Sequence, residues 1–202
     1  MTANSPRPRG SGSLRIVGGV WRRRRLAVAD LPGLRPTPDR VRETVFNWLG
    51  QQLDGLRVLD LFAGSGALGL EAASRGAAEV VLVERDARAA ALLRTHVAAL
   101  DASASVRVIQ DDALHFLGTL PRPFDVLFLD PPYALDLTAV CLARLPDWLA
   151  SGALVYTEHD TPLRAPDGWE IWRSGRAGRV HFGLLRWNPR ASASSTPEPL
   201  TR

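Results

Sequence analysis

The sequence predicts an α/β fold built on one doubly wound, mostly parallel sheet, and three observations point to it. From Leu56 onward, strand-length apolar runs alternate with helical segments. A Gly-rich loop follows the first of those runs. The last of them give way to two strand-like stretches around a Gly-containing turn, which ends the parallel sheet in an antiparallel hairpin. At 202 residues the chain suffices for one well-packed domain with a small appendage, and is too short for two.

Residues 1–13 are rich in Pro, Gly and Ser, as is the stretch 188–202 (NPRASASSTPEPLTR), so both are expected to be disordered tails. Residues 14–54 form a basic extension. In it LRIVGGVWRRRRLAV reads as a small hairpin around Gly18-Gly19, its arginines facing solvent or a nucleic acid. Thr37 is the expected N-cap of a helix with Pro38 at its first position, running to about Leu53. Val41, Val45, Phe46, Trp48 and Leu49 give that helix an apolar face. Residues 55–187 carry the main domain: LRVLDLF, ALGLEAASRG, EVVLVE, ARAAALLRTHVAAL, VRVIQ, ALHFLGTL, FDVLFLD and LTAVCLARLPDWLA in alternation, then ALVYTEH and WEIWRSGRAGRVHFGLLRW.

Composition narrows the function classes. A hydrophobic share of 46% with 23% charged residues is ordinary for a globular protein, and no apolar run approaches the ~20 residues of a membrane span. The first residues, MTANSPRPRGSGS, have no apolar segment behind their arginines, so no secretory signal is expected. The lone Cys141 can form neither an internal disulfide nor a thiolate metal site, which fits a reducing cytoplasm. His96, His115, His159 and His181 show no ligand spacing, so no metal is expected. Charge is uneven: residues 1–42 hold ten arginines against two acids, a balance of +8 in a chain of net charge +4. Such a segment can neutralise phosphates without reading sequence. Arg22, Arg23, Arg24 and Arg25 are the expected RNA contacts, with Trp21 beside them as a stacking candidate. Arg40 and Arg42, near Glu43 and Asn47 on the predicted helix, are either further contacts or a solvated face with a local ion pair.

The chemistry lies at strand ends. In DLFAGSGALG, Gly64, Gly66 and Gly69 satisfy a GxGxxG spacing that dinucleotide enzymes share. Asp60 precedes it, where a carboxylate would accept from a ligand ammonium but repel a pyrophosphate. Glu84 ends the next strand, where an acid can bridge the two hydroxyls of a ribose. Asp112, in Asp111-Asp112-Ala113 after the third strand, is either an adenine contact or a helix N-cap. Asp130-Pro131-Pro132-Tyr133 ends the fourth. An exocyclic amine has its lone pair delocalised into the ring, so its hydrogens need acceptors that hold the nitrogen in line. A strand-end carboxylate and a proline carbonyl supply them, and the aromatic stacks on an extruded base.

On RIVGGVWRRRRL, LRPTPDRVRETVFNWL, DLFAGSGALGLEAASRGA and DPPY, covering residues 14 to about 187, the chain resembles the RsmD family of small-subunit ribosomal RNA guanine-N2 methyltransferases. The resemblance implies a Rossmann-like class I methyltransferase fold, S-adenosyl-L-methionine as methyl donor, and a guanine of 16S ribosomal RNA, free or in the 30S particle, as substrate. It implies Asp60, Phe62, Ala63, Gly64, Ser65, Gly66, Glu84, Asp112 and Ala113 as cofactor-binding residues, and Asp130, Pro131, Pro132 and Tyr133 as catalytic ones. A monomer is expected. Many relatives have asparagine where Asp112 stands. The rival readings are a nicotinamide oxidoreductase, a non-catalytic RNA-binding module and an adenine-N6 methyltransferase.

Overall fold

The computed structural model describes residues 12–31, 36–132 and 137–190. The elements run β1 (Ser13–Arg15), β2 (Arg25–Ala27), α1 (Asp39–Leu49), β3 (Arg57–Asp60), α2 (Gly69–Ser74), β4 (Glu79–Glu84), α3 (Ala87–Ala99), β5 (Val106–Gln110), α4 (Ala113–Phe116), β6 (Phe124–Leu129), α5 (Leu137–Arg144), β7 (Leu149–His159), β8 (Trp169–Ala177) and β9 (Val180–Trp187). A seven-stranded sheet has the order β5-β4-β3-β6-β7-β9-β8. The first five of these strands are parallel, and β9 is antiparallel to both neighbours. This is the expected doubly wound methyltransferase sheet with its C-terminal hairpin. The chain winds outward from β3 to β5 and returns to β6, so the switch in strand order lies between β3 and β6, where such sheets open a ligand crevice.

Burial on both faces explains the unbroken apolar runs of β4 and β6. On one face Val58, Leu82, Phe128, Tyr156 and Leu184 pack with Val45 and Phe46 of α1, Leu70 of α2 and Leu93 of α3. On the other, Leu59, Val81, Leu127, Val155 and Leu185 pack with Ala113, Cys141, Leu142 and Trp148.

The hairpin of β1 and β2 forms as a separate two-stranded sheet, pairing Leu14 with Leu26. It is fastened to α2 by one acid. The Glu71 carboxylate is fully buried and accepts from Val17 N (2.8 Å), Gly18 N (2.7 Å), Arg42 Nη1 (2.8 Å) and Arg75 Nε (2.9 Å). Val20 N donates to Ser74 O at 2.7 Å. Gly19, at φ +72°, leaves room for that approach, since a Cβ there would lie 1.7 Å from the same oxygen.

Arg42 departs from its expected place. Only 1% exposed, it ion-pairs with Glu71 and Asp39 and donates to the carbonyls of Arg15 and Thr37. Its guanidinium joins β1 and the start of α1 to α2 and is buried away from the surface. Helix α1 is also shorter than expected. Pro38 occupies the cap position and Asp39 opens the helix, while Thr37 offers only its carbonyl. At the other end Gly50, at φ 100°, takes the left-handed conformation that stops a helix, four residues short of the expected end. Pro146 divides LTAVCLARLPDWLA into α5 and a short 3₁₀ turn, Pro146–Trp148. Of the two expected tails, residues 1–11 and 191–202 lie outside the described residues. Ser13 belongs to β1, and Asn188 N donates to Gly168 O at 2.7 Å, so the folded region extends slightly past both expected borders.

Candidate active site

Three acids line the C-terminal edge of the sheet on one face. Asp60 and Tyr156 sit on strands whose register partner in β6 is Phe128, so all three side chains share a face. Two residues further on, Asp130 and Glu158 fall on that face as well. Helix α1 covers it, with the Phe46 and Phe128 ring centroids 5.9 Å apart.

Asp60 is 3% exposed, and its Oδ2 accepts from Gly69 N at 2.9 Å. That contact needs glycine at 69, where a Cβ would lie 2.2 Å from Leu82 Cδ2. Burial pushes the Asp60 carboxyl up to about 7, and the nearby Glu84 charge adds to the rise. Glu84 accepts from Gly64 N (2.8 Å) through one oxygen and Asp86 N (2.7 Å) through the other, tying the Gly-rich loop to the turn after β4. Phe62 and Gly64 are half-buried, and Ala63, Ser65 and Gly66 are buried.

Asp112 caps α4, accepting from Leu114 N (2.9 Å) and His115 N (3.3 Å) through Oδ1. One oxygen of this residue therefore serves the helix. Ala113 beneath it is buried. Asp111 pairs with His115 at 2.8 Å and raises the affinity of that imidazole for its proton.

Asp130 follows β6, with Pro131 buried and Pro132 exposed behind it. Tyr133 lies outside the described residues. Burial raises the Asp130 carboxyl well above the usual range, and the charges of Glu158 and Asp60 push it in the same direction. Glu158 is 7% exposed, and its Oε1 accepts from the Tyr156 hydroxyl at 2.5 Å. After β7 an open cavity of about 450 Å³ is lined by His159, Thr161, Pro162 and Arg164.

The expected RNA contacts divide. Arg22 to Arg25 are all exposed at the hairpin, and Arg40, Glu43 and Asn47 are exposed on α1. Trp21 instead packs against the core beside α2. The sequence reading missed Glu71, Tyr156 and Glu158. The first carried a signal, a lone acid within the apolar ALGLEAAS. The last is next to the end of ALVYTEH at the sheet edge where ligands gather, as Asp60 and Asp130 stand at the ends of theirs.

Among the described residues no helix is long and apolar enough to cross a membrane. The family model described as conserved hypothetical protein 95 matches residues 14–186. The chain is 44% identical to the ribosomal RNA small subunit methyltransferase D of Escherichia coli (strain K12), covering 90% of this chain and 93% of that one. It is 41% identical to the protein of the same name from Haemophilus influenzae, over 89% and 96% of the two chains. The solved structure of yhhF from Escherichia coli superposes with a TM-score of 0.79 at 43% identity, over 88% of this chain and 99% of that one. With fold, strand-end acids and near full-length similarity in agreement, the chain belongs to the RsmD family of methyltransferases, the family described as conserved hypothetical protein 95.

Proposed function

We propose that this protein transfers a methyl group from S-adenosyl-L-methionine to the exocyclic N2 of one guanine in small-subunit ribosomal RNA, acting in the cytoplasm on the RNA or the 30S particle. The observation that carries this reading is the row of buried acids at the sheet edge, beside the Gly-rich loop. A carboxyl pushed up to about 7 by burial is one whose charge lacks full compensation, and a ligand ammonium at Asp60 would supply it. The residues thus fit an aminoacyl nucleoside: Asp60 for the ammonium, Phe62, Ala63, Gly64, Ser65 and Gly66 around it, Glu84 for the ribose, and Asp112 with Ala113 near the adenine. When bound, S-adenosyl-L-methionine supplies a methyl carbon made electrophilic by its sulfonium.

The residues following β6 handle the base. Asp130 and the Pro131 carbonyl accept the hydrogens of the amine and fix the direction of its lone pair, and Tyr133 stacks on the base. As the nitrogen gains the methyl it loses a proton, and Asp130, already prone to protonation, is the nearest acceptor in this assignment. The exposed arginines 22 to 25 and Arg40 hold phosphates of the RNA, so the basic extension serves as the RNA-binding part of the molecule. Product nucleosides released from small subunits incubated with the protein and the methyl donor test this. N2-methylguanosine is expected, and a methylated adenosine or no product would refute it.

A further inference from the structure

Glu158 has no part in the chemistry assigned so far, yet its position is specified by the fold. The parallel register of β6 and β7 pairs Leu129 with Thr157, so Asp130 and Glu158 are the next residues at two adjacent strand ends. Both point to the face that carries Asp60. Glu158 is buried, and the Tyr156 hydroxyl holds one of its oxygens at 2.5 Å. Tyr156 is itself immobilised, fully buried with its ring packed against Phe128 and Phe182. Two carboxyls at adjacent strand ends on one face, with the charge of Glu158 disfavouring ionisation of Asp130, suit a ligand that presents a donor to each.

Guanine is such a ligand. Its Watson–Crick edge carries two neighbouring donors, N1–H and the N2 amine, that point the same way, whereas adenine places an acceptor at N1 beside its amine. We propose that Glu158 is a specificity-determining residue: its carboxylate accepts the guanine N1–H while Asp130 holds the N2 amine. This rests on the guanine reading above and extends it, by stating how the site rejects other amine-bearing bases. Tyr156 is the positioning residue, fixing one Glu158 oxygen. A carboxylate offers about four acceptor directions, so it can serve a tyrosine hydroxyl and a base edge together.

The test compares two bases that both carry the reacting amine. Small subunits are reconstituted on 16S ribosomal RNA joined from a transcribed body and a synthetic segment. The segment holds either guanine or 2-aminopurine at the methylated position. 2-Aminopurine retains the amine at C2 but has a lone pair, not a hydrogen, at N1. The wild-type protein should methylate it at least roughly a thousandfold more slowly than guanine, the kind of penalty paid when a buried polar group faces the wrong partner. In Glu158→Gln the side-chain amide can turn its NH₂ toward that lone pair, so the guanine to 2-aminopurine ratio should narrow at least tenfold. Tyr156→Phe should lower the ratio in the same direction by a smaller factor. Calorimetric affinity for adenosylhomocysteine should be unchanged in both variants. A role limited to holding the strand end would lower both rates together and leave the ratio alone. An unchanged ratio in Glu158→Gln, or a wild-type protein that uses both bases equally, would overturn the proposal. A wild-type protein that leaves guanine N2 unmethylated would overturn the guanine reading instead.

Discussion

Asp60 and Asp130 are acids on the same face of adjacent strands, yet they are assigned to different partners, so their loss should have separable effects. Asp130→Ala is expected to lower the single-turnover methylation rate at least roughly a hundredfold, the usual cost of one preorganised hydrogen-bond partner, or ~3 kcal/mol. Adenosylhomocysteine affinity, measured by calorimetry on the same protein, should stay within a few fold. Loss of both would show that this strand end shapes the cofactor pocket. Asp60 predicts a pH dependence instead. Its carboxyl ionises near 3.8 when unfolded and at about 7 when folded, so between those values the folded state holds the extra proton. Stability of the ligand-free protein therefore falls as pH rises from about 4 to about 7, by up to roughly 4 kcal/mol from this group. Adenosylhomocysteine, whose ammonium favours the charged form, should bind more tightly across the same interval and level off above it. Asp60→Asn should flatten both curves, as denaturant titrations and calorimetry at several pH values would show; unaltered slopes would assign them to other groups. Asp60, Glu84 and Asp130 were legible in the sequence because each ends an apolar run at a strand terminus. Arg42 was not, because its fate is decided by Glu71, an acid on a helix distant in sequence that draws it inward. Glu158 stands near a strand end too, but only the pairing of β6 with β7 brings it beside Asp130.

The hairpin and its anchor are the elements on which RNA binding should depend. Glu71 satisfies two backbone N–H groups and two guanidiniums from a fully buried position. Removing its charge breaks the buried ion pair with Arg42 and leaves Asp39 as the remaining acid on that guanidinium, at a cost of about 3–5 kcal/mol. Glu71→Gln should therefore lower the unfolding free energy measured by urea titration by that amount, and proteolysis should cut first near Gly18 as the hairpin lifts from α2. A hairpin as protected as in wild type would show that its apolar contacts suffice without the acid. Replacing Arg22 to Arg25 with alanine should act differently, weakening RNA binding and flattening its salt dependence by about one unit of slope per lost phosphate contact, with stability retained. A full salt slope in that variant would exclude the hairpin from the interface. At this scale the sequence was most legible where an element is continuous and apolar: β4 and β5 begin and end where EVVLVE and VRVIQ do. Ends set by single residues were harder to read. Gly50 stops α1 because it can adopt φ 100°, and Pro146 stops α5 because it has no N–H, whereas the apolar periodicity runs on past both.

For the molecule as a whole, the strand order makes the site, because the reversal between β3 and β6 sets Asp60 next to Asp130 from positions seventy residues apart. A ligand that bridges β3, β4 and α4 should therefore stabilise the whole domain. Adenosylhomocysteine at a hundredfold excess over Kd should add about 2.7 kcal/mol, and Glu84→Ala should lose most of that gain. An undiminished gain in the variant would place the ribose elsewhere. The alternation of strands and helices gave away the layered architecture, but adjacency across the sheet depends on register, which no local pattern encodes. Methyl transfer to guanine N2 in small-subunit RNA is the central proposal. Its most direct test is nucleoside mass spectrometry of small subunits purified from cells lacking this protein, before and after incubation with the purified enzyme and S-adenosyl-L-methionine. One N2-methylguanosine per 16S ribosomal RNA, absent before incubation and absent again with Asp130→Ala, is the predicted result. A subunit that already carries that nucleoside, or that gains a different methylated base, would contradict it.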